Sequence, residues 1–190
     1  MTSLLEARQL RVEIGGRCVV RSLDLTLAKG ERLAILGCNG AGKSTLLSTL
    51  AGLRPAAAGA VLLAGTDYRQ MAPRAAALHR AWLGQHQGDP FGSGVLETVL
   101  TGRHPHLGRW DWESTHDAEL ARSSLAAVGL QGFESRQVHT LSGGERQRLG
   151  IATLLTQAAE LYLLDEPLSH LDLNHQMAVL QLFTGTACEC

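Results

Sequence analysis

Residues 37–45 read GCNGAGKST, which fits the spacing G-x-x-x-x-G-K-[ST] and constrains the fold more than any other string in the chain. The pattern carries meaning only in context, with a strand delivered into the loop and a helix leaving it. Residues 32–36 (Arg-Leu-Ala-Ile-Leu) form an apolar run suited to a buried strand, and residues 43–53 read as a helix. The expected fold class is therefore α/β. The glycines let successive backbone N–H groups turn inward around a polyphosphate, and the helix start adds partial positive charge. Gly37, Cys38, Asn39, Gly40, Ala41, Gly42, Lys43, Ser44 and Thr45 are the candidate phosphate contacts. Lys43 would reach the β- and γ-phosphates, and the Ser44 hydroxyl would ligate Mg²⁺. Only two lysines occur, Lys29 and Lys43, so Lys43 is hard to dismiss as generic surface charge.

A second apolar run, residues 161–164, ends in Asp165 and Glu166. Two carboxylates just past a strand beside the phosphate loop suit metal and water: Asp165 to orient the metal through its waters, Glu166 to polarise the attacking water as general base. Without that loop the pair would read equally well as an acidic turn. Residues 141–145, LSGGE, place a serine and two glycines at a predicted helix start, a second anion-binding terminus. Ser142 and Glu145 also have capping-box spacing, and the two roles are compatible.

At 190 residues, 45% hydrophobic and 18% charged, the chain reads as a single globular domain, 1–190. A formal net charge of -1 gives no basic surface for tracking nucleic acid, so no nucleic-acid partner is expected. Cys18, Cys38, Cys188 and Cys190 show neither zinc spacing nor a disulfide framework, which points to a reducing compartment and an inert Cys38. No stretch reaches the roughly 18 apolar residues of a membrane span, and the start does not read as a secretory signal. Any membrane role must come through a partner.

Alternation over residues 9–14 and 23–27, separated by Gly15 and Gly16, predicts antiparallel strands. Further strands are expected over residues 60–64 and 80–84, and a glycine- and proline-rich junction over residues 84–94. Helical periodicity from Val95 to Leu130 marks a second subdomain, placed at about residues 86–145. Helices are expected from Gly143 or Gly144 and over residues 174–183.

The phosphate loop, LSGGE and the acidic strand end together resemble the ATP-binding subunit of ATP-binding-cassette (ABC) transporters, over about residues 10–182. The resemblance implies a P-loop NTPase core of the ABC ATPase type with an antiparallel β subdomain and an inserted helical subdomain, using ATP and Mg²⁺. In that family the signature, here Leu141, Ser142, Gly143, Gly144 and Glu145, closes on the ATP of an opposing subunit, head to tail. Residues 169–172 (Ser-His-Leu-Asp) resemble the D-loop at that interface and add Asp172 to the site. Gln85 matches the junction glutamine that touches Mg²⁺ and the attacking water, with Gln87 as a competing assignment. Residues 101–108, with Trp110 and Trp112, are similar to the corresponding region of iron-siderophore, haem and cobalamin importers. His104 and His106 flank a proline and suit a solvated or coupling loop better than a metal site; the tryptophans suit packing or subunit contacts.

The function so implied is ATP hydrolysis energising a bacterial importer of iron-siderophore, haem or cobalamin. Its implied partners are a second ATP-binding subunit, integral membrane permease subunits and, indirectly, a periplasmic or lipoprotein substrate-binding protein. Its implied place is the cytoplasmic face of the inner membrane, as a peripheral subunit. Two departures from the family pattern matter. Ile14 stands where the family carries an aromatic that stacks on adenine. Only 24 residues follow Glu166, and they contain neither the next apolar strand nor the γ-phosphate histidine, for which His170 and His175 lie too early. The expectation is a C-terminally incomplete cassette, with a smaller sheet and one γ-phosphate ligand fewer. One alternative is thus a cassette that binds nucleotide or partners without efficient hydrolysis. The other is a soluble ABC ATPase unrelated to transport, disfavoured by the lack of a long coiled-coil insertion, a second cassette or a basic patch.

Overall fold

The structure, a computed structural model, describes residues 3–85 and 92–185. These fall into two compact units. One runs to Trp82 and includes Ala159–Asp165; the other holds Leu83–Ala158 and the residues from Glu166 onward. Gln87 and the centre of the junction predicted over residues 84–94 lie outside the described residues.

In the first unit, β1 (Ser3–Ile14) and β2 (Arg17–Ala28) form an antiparallel hairpin. Its two-residue turn is Gly15 and Gly16, at φ 54° and 78°. Positive φ at both central residues matches the right-handed twist of the flanking strands, which is why two glycines sit there. β3 (Ala58–Leu63) pairs on the other side of β1, and β4 (Thr66–Asp67) extends the sheet to the order β2-β1-β3-β4. Leu5 faces Leu27 on one side and Leu63 on the other, and Ala7 faces Leu25 and Val61. These residues supply much of a core that also takes Leu10, Val12 and Leu50.

α1 (Lys43–Leu50) is shorter than the periodicity over residues 43–53 predicts. Gly52 turns to φ 68°, and the Leu53 and Arg54 N–H groups fold back onto the Ser48 carbonyl. After α2 (Pro73–His79), β5 (Arg80–Leu83) pairs with β6 (Leu161–Leu164) in a separate two-stranded sheet. Leu161 and Leu163 join the same core.

Residues 32–36 depart most clearly from expectation. They form no strand; residues 31–38 are irregular, with Leu33 53% and Leu36 90% exposed. Only Ile35 packs against the core. An apolar run states a demand for burial, but a strand also needs a neighbour to take its N–H and C=O groups. Among the described strands, β5 and β6 pair with each other and none pairs with this run.

The second unit is helical. α3 (Val95–Leu100), α4 (Thr115–Ala127) and α5 (Gly143–Gln157) pack on one another, and α6 (Leu173–Thr184) follows. The predicted face of α5 is largely found: Leu149, Ile151, Ala152 and Leu154 are buried, while Leu155 is only partly so. α4 opens on a capping box between Ser114 and Asp117. The Arg103 guanidinium donates to the same buried carboxylate at 2.7 Å, and together these groups hold Asp117 well below the usual carboxylate range.

Candidate functional site

Of the site residues predicted from sequence, the first unit holds the phosphate loop and Asp165, and the second holds Gln85, Glu166, the signature and Asp172. Residues 37–41 are exposed, and Gly40 and Gly42 stand at φ 76° and 93°. Gly42 forms the N-cap of α1 in the left-handed region, with no side-chain hydrogen bond capping the helix. A Cβ there would collide with Val19 Cγ1. Lys43 Nζ donates to the Gly37 carbonyl at 2.9 Å and the Cys38 carbonyl at 3.0 Å, so the ammonium is folded over its own loop. An open, glycine-built helix start with a lysine at its mouth fits a polyphosphate. For a magnesium ion the same unit offers the exposed Ser44 hydroxyl and the carboxylate of Asp165, which is 6% exposed. These are hard oxygen donors of the kind that ion takes.

Glu166 follows β6 at φ 51°, a conformation that costs a non-glycine residue about 1–2 kcal/mol. Gln85 Nε2 donates to Glu166 Oε2 at 3.0 Å. The expected junction glutamine and general base are therefore in direct contact, although 81 positions apart.

The signature starts α5 with both halves of its predicted capping box formed. The Ser142 N–H donates to Glu145 Oε2 at 2.7 Å, and the Glu145 N–H donates to Ser142 Oγ at 3.3 Å. The Ser142 N–H and hydroxyl, with Arg136 and Arg148 nearby, hold the Glu145 carboxyl below its ordinary range. Gly144 allows close backbone approach, since a Cβ there would stand 3.0 Å from the His170 carbonyl. Gln147, buried in α5, donates to the Pro167 carbonyl at 3.1 Å and ties the helix to the loop after Glu166. Asp172 caps α6 by accepting the His175 N–H at 2.9 Å, and that bond leads in lowering its carboxyl pKa. The structure thus gives Ser142, Glu145 and Asp172 local structural roles.

Two arginines that hold the signature loop have no counterpart in the sequence reading. Arg146 donates to the Leu141 and His139 carbonyls at 3.1 and 3.2 Å, and Arg136 donates to that of Thr140 at 3.1 Å. Arg146 directly follows LSGGE in the sequence, whereas nothing local marks Arg136. Trp110 and Trp112 are 84% and 87% exposed, which removes the packing role allowed for them. His106 Nε2 lies 2.8 Å from the Gln157 carbonyl. Ile14, at the end of β1, is 44% exposed.

The ABC transporter family matches residues 20–169, a span that holds the phosphate loop, the signature, Asp165 and Glu166. The chain belongs to that family. It is 40% identical over 185 residues to the petrobactin import ATP-binding protein FpuD of Bacillus anthracis, covering 96% of this chain and 67% of that protein. It is 44% identical over 179 residues to the hemin import ATP-binding protein HmuV of Streptomyces coelicolor, covering 94% of this chain and 63% of that protein. A metal-chelate type ABC transporter solved in an inward-facing conformation superposes with TM-score 0.79 at 33% identity, covering 97% of this chain and 68% of that one. This ABC chain thus spans about two thirds of the length of such relatives. Among its described residues no helix is long and apolar enough to cross a membrane.

Proposed function

We propose that this chain binds and hydrolyses ATP as the peripheral subunit of an import system for a metal chelate, of the iron-siderophore, haem or cobalamin class. The reading rests on the Gln85–Glu166 contact, which gives a chain with a phosphate loop a held carboxylate for water activation. The cargo class rests on the import roles of the relatives. A second copy of the chain, facing it head to tail, and membrane permease subunits are its proposed partners.

Gly37, Cys38, Asn39, Gly40, Ala41 and Gly42 offer backbone N–H groups to the phosphates, with Ser44 and Thr45 at the helix start behind them. Lys43 exchanges its two carbonyl partners for phosphate oxygens. Ser44, Asp165 and Gln85 would hold magnesium, which when bound offsets charge on the β- and γ-phosphate oxygens. Gln85 engages Oε2 of Glu166 and leaves Oε1 to accept a proton from the attacking water. Leu141, Ser142, Gly143, Gly144 and Glu145, with Asp172, would face the nucleotide of the opposing copy.

One observation favours the second reading, binding without efficient turnover. Residues 32–36 lead into the phosphate loop with no strand partner among the described residues, and a loop less firmly held positions its phosphates less well. MgATP affinity and steady-state phosphate release separate the readings. Hydrolysis in the parent chain, with Glu166→Gln retaining affinity and losing about 10²–10⁴ in rate, supports the first. Binding without turnover supports the second, and no nucleotide binding refutes both.

A further inference from the structure

The signature loop is held from outside its own motif, and Arg136 is one side chain that links several parts of that support. Its guanidinium stacks over the Phe133 ring at 4.4 Å from the centroid. Its Nη2 donates to the Thr140 carbonyl at 3.1 Å, one residue before the signature, and its Nη1 stands 3.7 Å from Glu145 Oε1. Glu145 Oε2 in turn accepts the Ser142 N–H. One planar cation therefore touches the entry to LSGGE and, through the carboxylate, its last residue. With its carbon over the ring face and two of its nitrogens directed at Thr140 and Glu145, the guanidinium is held at three points, which a single ammonium would not be.

The backbone around Arg136 anchors this brace. The Val95 N–H donates to the Arg136 carbonyl at 2.9 Å, the Leu96 N–H to that of Glu134 at 3.3 Å, and the Val138 N–H to that of Ser93 at 3.1 Å. Gly94 and Gln137 form an isolated antiparallel bridge. Residues 134–138 are thus hydrogen-bonded to the segment opening α3, and the brace is fixed to the helical unit at its base. Glu145 and Ser142 could form their capping box without Arg136, so helix capping does not explain the additional contacts.

We propose that Arg136 is a positioning residue that presets the signature loop for the nucleotide held by an opposing copy. It acts through Thr140 and Glu145 and does not itself touch nucleotide. This inference rests on the head-to-tail arrangement proposed above. A preset loop forms the closed pair without first being ordered, so the effect belongs to association and turnover, not to binding at the chain's own phosphate loop.

The test compares the parent chain with Arg136→Ala and Arg136→Lys in three measurements: MgATP affinity at protein concentrations where the chain is monomeric, MgATP-driven self-association followed by analytical ultracentrifugation of the Glu166→Gln background, and steady-state phosphate release. Arg136→Ala is expected to leave monomer affinity within about twofold, and to weaken self-association and lower kcat by about tenfold each. Arg136→Lys, keeping the charge but losing the stacked fork, should fall between the two. Equal self-association and turnover in Arg136→Ala and parent would overturn the proposal. So would an equal loss in monomer affinity, which marks a general effect on the fold. If Arg136→Ala does not fold, parent-like self-association and turnover in Arg136→Lys overturn it, and selective loss there supports it. Absence of MgATP binding or association in the parent chain strikes the proposed function instead.

Discussion

At the start of α5, Ser142 and Glu145 exchange hydrogen bonds, Arg136 and Arg146 hold the preceding carbonyls, and Gly144 admits the His170 backbone. At the start of α1, no side chain caps the helix, residues 37–41 are exposed, and the Lys43 ammonium donates to carbonyls of its own loop. Both are glycine-rich helix starts with the same leaning toward an anion. They differ in what already satisfies them. The signature is locally complete, and the phosphate loop is arranged so that a ligand completes it. Self-capping stabilises the fold, whereas an open start stores its donors for binding.

The contrast can be broken most sharply at Lys43. Lys43→Ala should weaken MgATP binding by roughly 10- to 100-fold, the range for losing a charge-assisted hydrogen bond, while leaving the thermal midpoint unchanged. Isothermal titration and a melting curve check both halves. Gly42→Ala should act on the loop itself. Its φ of 93° costs an alanine about 1–2 kcal/mol, and the new methyl collides with Val19. Adding Val19→Ala should recover the collision and not the backbone strain, so chemical denaturation should show partial restoration.

Ser142→Ala should behave in the opposite way to Lys43→Ala. Loss of the cap should lower stability by about 1 kcal/mol, a fall of about 2–4 °C in the thermal midpoint, with MgATP affinity of the monomer unchanged. The smallest effect is in pH dependence. Because the folded Glu145 carboxyl titrates below its unfolded value, its contribution is complete above the unfolded pKa of about 4.3 and is lost as pH falls through the folded one. Denaturation curves for the parent and Glu145→Gln should therefore converge as pH is lowered below about 4.3.

Local pattern made the self-contained start legible. Ser142 and Glu145 stand three positions apart, the spacing at which a capping box closes, and the burial of Leu149, Ile151, Ala152 and Leu154 follows from periodicity. The hairpin turn at Gly15 and Gly16 was equally readable. Residues 32–36 failed because hydrophobicity records a need for burial and not the presence of a pairing strand. The Gln85–Glu166 contact spans 81 positions and has no local signal beyond each residue's place at a strand end. Arg136 was missed for a similar reason: its contacts depend on how residues 133–145 turn, not on any motif it belongs to.

Amide hydrogen exchange of the monomeric chain, with and without MgATP, tests the contrast most directly. Without nucleotide, the amides of Glu145 and Arg146 should already be protected while those of residues 37–44 exchange rapidly; MgATP should then protect residues 37–44 and change the α5 start little. Rapid exchange at both starts in the free chain, or equal new protection at both in the monomer, would contradict it.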